Sequence, residues 1–196
     1  MSVALAALLL AGCAASVDLS ATTPSATGQL LVFRALERAA AGLDLTRLRD
    51  RRVALEVISQ LDDRKFAQKF AAEYLETWMR ARGVAVGADH PELRVQAYLL
   101  TLGSDLGRTF LGIPAFQVPV VSIPIPEIAI FTWERNRGRA DIRAYVFDAA
   151  ERSFVEALPD VTGRSKFDDF TVLLVVGFTV TDIDEPLPDA TPRKGP

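Results

Sequence analysis

The chain has 196 residues, a formal net charge of −3, 49% hydrophobic side chains and 24% charged ones. That length suits one globular domain with a proper core. The acidic balance argues against nucleic acid, whose phosphates call for a basic face, and the single cysteine excludes an intramolecular disulfide.

Residues 3–10 form an uninterrupted run of small and aliphatic side chains, ending in Leu10-Ala11-Gly12-Cys13. The run is too short to span a bilayer as a helix and reads as the apolar core of a cleaved export signal. With cysteine directly after Ala11-Gly12, it resembles a bacterial lipoprotein signal, although no Lys or Arg precedes it. The resemblance implies a signal peptide over residues 1–12 and acylation (palmitate labelling) of Cys13. The membrane anchor would be lasting, because two or more acyl chains hold where one binds reversibly. In that family a non-acidic residue such as Ala14 behind the cysteine implies the outer membrane, with the body facing the periplasm.

Residues 13–26 are rich in Ala, Ser and Thr and contain Pro24, the composition of a flexible tether. A single domain is expected over 27–184 and a disordered tail over 185–196, which holds four prolines. Ser25 or Thr27 can cap a helix running to about Gly42. Residues 52–59 are a short aliphatic, β-branched run, hence a strand. A second helix is expected from about Asp63 to Arg82, with Phe66, Phe70, Tyr74 and Trp78 four apart on one face. Residues 83–87 suit a short strand, and 93–102 alternate as a half-buried strand does. Residues 128–135 and 139–148 predict two strands joined through Asn136-Arg137-Gly138, where Asn and Gly tolerate the positive φ of a tight loop. Residues 170–181 are nearly continuous in apolar β-formers, as in a strand covered on both faces. The fold expected is α/β of the α+β two-layer kind, a mixed sheet of five to six strands with two main helices packed on it.

Residues 109–126 carry no charge and contain Pro114, Pro119, Pro124 and Pro126. Those prolines exclude a regular helix or a central strand, so an apolar, stiffened loop is expected, although loops normally face water. Three roles are open to it: a lid on the domain's own core, an interface for a protein partner or a second copy, or a contact with the membrane. The side chains that would carry an interface are Phe110, Ile113, Phe116, Val118, Val120, Ile123 and Ile125.

Nucleophilic catalysis pairs a nucleophile with a base. The one histidine, His90, precedes Pro91 in a turn-like stretch and reads as a surface residue. The glycine-bearing stretches 103–107 and 163–166 read as ordinary turns, lacking the setting of a phosphate-binding loop. Asp182, Asp184 and Glu185 lack the spacing of a calcium loop. No metal or cofactor is implied.

The stretches LGSDLGRTFLGIPAF, the proline segment through IPEIAIF, and GRSKFDDFTVLLVVGFTVTDID resemble a group of bacterial lipoproteins for which no activity is established. A more remote similarity of element order links the chain to periplasmic α/β lipoproteins of the curli-secretion and penicillin-binding-protein-activator types. The reading that follows is a non-enzymatic, lipid-anchored cell-envelope protein that binds a protein partner or itself through the proline segment. The alternatives are a carrier or sensor of a small apolar ligand held between the aromatic helix stripe and the sheet, and an enzyme using Asp105, Asp148 or Asp168.

Overall fold

The computed structural model describes residues 14–17, 25–59, 65–118 and 123–187, with backbone alone at 14–17, 65–66, 116–118 and 123–125. Strand β1 (Ala14–Val17) precedes helix α1 (Ala26–Ala41), strand β2 (Arg52–Ser59), helix α2 (Lys65–Arg80) and strand β3 (Ala85–Val86). Strands β4 (Leu93–Ile113), β5 (Phe116–Val118), β6 (Ile123–Ile125), β7 (Ile128–Asp148), β8 (Phe154–Ala157), β9 (Val161–Val172) and β10 (Val176–Thr181) complete the chain. The expected α+β architecture is present: two helices on a mixed sheet, ordered β10-β9-β7-β4-β2-β3. The sheet is larger than expected, because β1 also pairs with β4 and β8 with β7.

Ser25 caps α1, accepting the Gly28 amide at 3.0 Å. Its apolar stripe buries Leu31, Ala35, Leu36, Ala39 and Ala40 completely. In α2 the buried positions are Ala71, Leu75, Trp78 and Met79. The aromatic stripe expected there is therefore only partly a core face. Phe70 is 43% exposed and instead meets Phe33 of α1, ring centroids 6.1 Å apart. The Phe66 side chain lies outside the described residues.

The largest departure from expectation concerns glycine. Stretches 103–107, 136–138 and 163–166 do not turn; they lie inside β4, β7 and β9, so β4 and β7 are each 21 residues long. Two of these glycines exist for close packing. A Cβ at Gly163 would sit 1.8 Å from the Ala35 carbonyl oxygen, and one at Gly138 would sit 2.4 Å from that of Leu31. Only a residue without a side chain lets α1 lie this close to the sheet. Ser165 completes the contact, donating its hydroxyl to the Leu31 carbonyl at 2.7 Å.

The opposite departure occurs at residues 170–181, which are not one buried strand. The chain reverses at Leu173-Leu174-Val175, and β10 returns antiparallel along β9 with Val176 opposite Val172. Leu173 and Leu174 have φ of +50° and +65°, the left-handed values of a tight hairpin turn, a region usually left to Gly, Asn or Asp. No Gly, Asn, Asp or Pro stands at the reversal. Tertiary pairing imposes it: the Leu173 amide donates to the Ile130 carbonyl at 2.8 Å.

The sheet thus has two halves. The buried core draws on Val95, Ala97, Leu99 and Leu102 of β4, on Ala140 to Val146 of β7, and on Val161 of β9. Past the rung of Ser104, Gly138 and Ser165, on which Leu31 of α1 still packs, the paired strands continue as an arm. The end of that arm carries residues 109–113 of β4, which lead on to β5 and β6.

Candidate functional site

The arm is built from four-strand rungs: Thr109, Trp133, Phe170 and Phe178 stand side by side, as do Leu111, Phe131, Val172 and Val176 one step nearer the end. Residues two apart share a face, so these rungs and the Gly107-Arg135-Asp168-Val180 rung lie on the face opposite the helices. On it Trp133, Phe170 and Phe178 are stacked, with centroids 5.6 and 4.8 Å apart. The Arg135 guanidinium lies 4.6 Å from the centre of the Trp133 ring. Behind this stack Asp168, 7% exposed, accepts from Arg137 at 2.7 and 3.0 Å and from the Trp133 indole nitrogen at 3.2 Å. Burial alone pushes the Asp168 carboxyl up, but the Arg137 and Trp133 hydrogen bonds and the Arg137 charge outweigh it and hold it below the usual range.

The end of the arm is apolar and open. Leu111, Ile113, Ile128 and Ile130 are 41–52% exposed, and Leu173, Leu174 and Val175 are 60–83% exposed. Ile113 faces Ile128 across the β4–β7 pair, and β5 and β6 pair with each other beyond it. The charges next to this region are paired: Arg108 bridges Glu127 and Glu134. Edge strand β10 is uncharged and exposed over Val176–Val180, with only Thr181 half-buried.

Of the expected interface residues, Ile113 is exposed at the arm's end, whereas Phe110 is buried at 7% and contributes packing rather than free surface. Phe116 and Val118 lie on β5 and Ile123 and Ile125 on β6, so part of the expected loop is a small two-stranded sheet. The side chains of those four residues, all of Val120, and Cys13 lie outside the described residues. The expected tether is ordered at its start, because Ala14–Val17 form β1, Ala14 opposite Phe110 and Val17 opposite Gly107. Sequence reading missed the exposed Leu173-Leu174-Val175 turn; the one available signal was five consecutive aliphatics, 172–176, longer than a half-buried strand would alternate.

The candidate carboxylates do not assemble into a site. Asp148 caps a turn at the far end of the sheet, accepting the amides of Ala150 and Glu151. Asp105 is exposed opposite Arg137, and Asp168 is saturated by its donors. Asp182 holds Arg38 and the Lys166 amide. His90 is exposed in a turn with φ of +54°. Among the described residues no group of three His, Cys, Asp or Glu side chains could hold a metal ion. Tyr74, pushed up to about 12 by burial and then by Glu37, is a packed phenol. Between α2 and the sheet lies a cavity of about 10 Å³, lined by Leu43, Leu48, Leu55, Leu75 and Met79 among others. That is room for about one water molecule.

Comparison with protein-family models, curated proteins and solved structures gave no match.

Proposed function

We propose that the chain is a non-enzymatic, lipid-anchored protein of the cell envelope, fastened through Cys13, that acts by contact. A protein partner or a second copy adds to the arm along β10 and the proline segment. One observation carries this reading: β10 is an uncharged edge strand with β9 as its only pairing neighbour among the described residues, and it lies on the same arm whose β4 leads into the uncharged proline segment. Exposed edges of this composition are templates for strand addition. The water-sized cavity favours contact over ligand carriage, and the dispersed carboxylates favour it over catalysis.

Two measurements test it. Cys13→Ala leaves an unprocessed precursor that takes up no palmitate; equal labelling of both proteins overturns the anchor. Phe178→Lys together with Val180→Lys on β10 removes cross-linked adducts from envelope preparations while the circular dichroism is unchanged. Adducts that persist at full yield overturn the edge-strand interface.

A further inference from the structure

We propose that the end of the arm, comprising the Leu173-Leu174-Val175 turn with Ile113, Ile128 and Ile130, rests in the surface of the bilayer to which Cys13 is fastened. The inference rests on the anchor proposed above and extends it to a second, non-covalent contact.

The path of the chain places the anchor here. β1 runs antiparallel to β4, with Val17 opposite Gly107 and Ala14 opposite Phe110. The chain therefore reaches β1 from the side of the arm's end, and Cys13 is a single peptide link, 3.8 Å between Cα atoms, from Ala14. Acyl chains on that cysteine must enter lipid within one or two residues of the Leu111 rung. A tether of thirteen free residues could have held the body anywhere near the membrane. Pairing from Ala14 onward leaves this end no choice but to face it.

The chemistry of the end agrees. Val175 is 83% exposed, Leu173 64% and Leu174 60%, and Ile113, Ile128 and Ile130 add 41–52%. Water is a poor solvent for such a cluster and acyl chains a good one. Just behind it stand Trp133, with its indole N–H on Asp168, and the Arg108–Glu134 pair, while Glu127, next to Ile128, is neutralised by Arg108. Aromatic and charged groups at that depth suit the headgroup layer. The turn is built against backbone preference to hold two leucines outward, and such local strain is characteristic of sites where exposure serves a purpose.

The test uses the acylated, membrane-extracted protein, in which Cys13 is blocked and an introduced cysteine is the free thiol. Val175→Cys and, on the neighbouring strand, Ile128→Cys are labelled with an environment-sensitive fluorophore; Ser153→Cys, exposed in the turn before β8 at the far end of the sheet, is the control. Each is reconstituted into phosphatidylethanolamine–phosphatidylglycerol vesicles with and without brominated acyl chains. Labels at 175 and 128 shift to the blue and lose emission to bromine, while the label at 153 does neither and stays open to aqueous iodide. Overturning results are iodide access at 175 and 128 equal to that at 153, or a blue shift without bromine quenching, which marks a second copy or protein partner as the occupant. Mass analysis of the N-terminal peptide reads the anchor separately. If Cys13 proves unmodified, the same labels in a Cys13→Ser background decide the matter, lipid quenching at 175 upholding the inference and its absence overturning it.

Discussion

Arg137 and Asp168 form a two-pronged ion pair across β7 and β9, both guanidinium Nη atoms meeting both carboxylate oxygens at 2.7 and 3.0 Å. The pair and the Trp133 indole bonded to it tie the arm together at the level where helix cover ends. Asp168→Asn should cost about 1.5 kcal/mol in urea unfolding, the lower end of the range for hydrogen bonds to charged groups, since the Arg137 side chain is 41% exposed and already partly solvated. The pH dependence follows from the lowered Asp168 carboxyl. A group held low when folded adds stability that is complete above its unfolded value of about 4 and is lost as pH falls towards the folded value. Wild type should converge on Asp168→Asn below that pH; a constant difference down to strongly acid conditions would contradict the assignment.

The glycines beneath α1 make a sharper claim. Gly163→Ala puts a methyl 1.8 Å from a helix carbonyl, and lifting the helix to make room should cost about 3 kcal/mol or more, the upper range for overpacking. Gly103→Ala, on the same sheet with nothing within 4 Å of the new methyl, should change stability by no more than about 0.5 kcal/mol. Urea unfolding of the two proteins side by side separates a packing role from a general intolerance of glycine replacement.

Ser165 is buried at 2% and spends its hydroxyl on Leu31. Ser165→Ala should lose about 1 kcal/mol, the usual net value of such a bond. Ser165→Val should lose more, because the Gly138 backbone and α1 leave no room for a branched side chain. Equal losses for the two would mean that space is not limiting here.

The turn at Leu173-Leu174 offers a gain of stability. Leu173→Asn with Leu174→Gly supplies the residue types that left-handed turn positions favour. It should raise unfolding free energy by about 1–2 kcal/mol, the cost of one such position for an L-residue. In a Cys13→Ser background, where no acyl chain can hold the protein, the same change should reduce flotation with vesicles. A variant that is both more stable and undiminished in lipid binding would show that the exposed leucines have no role there.

The helices and β2 were legible because their signals are local. Ser25 caps α1 as its hydroxyl requires, and the aliphatic run at 52–59 forms β2 over the same span. What sequence concealed was glycine used for proximity rather than for reversal. Gly138 and Gly163 read as turns because the helix that needs them lies over 100 residues away in the chain. The reverse error occurred at Leu173 and Leu174, where a turn formed from two residues that resist it, held by the Ile130 carbonyl. Residues 109–126 stood out for their lack of charge, but no periodicity could announce that 109–113 continue β4 and that 116–118 pair with 123–125. The exposed turn at the arm's end came from the misread strand at 170–181.

β4 and β7 each pass without a break from beneath the helices to the last rung of the arm. The ladder's register is unbroken from Ser104 to Leu111, shifting only at Leu111/Gly112, so this part behaves as a strut about 24 Å long at the usual rise per residue. With its end in a bilayer as proposed, it would hold the helical layer at a set height, and any molecule that meets α1 or α2 would itself have to extend that far from the lipid.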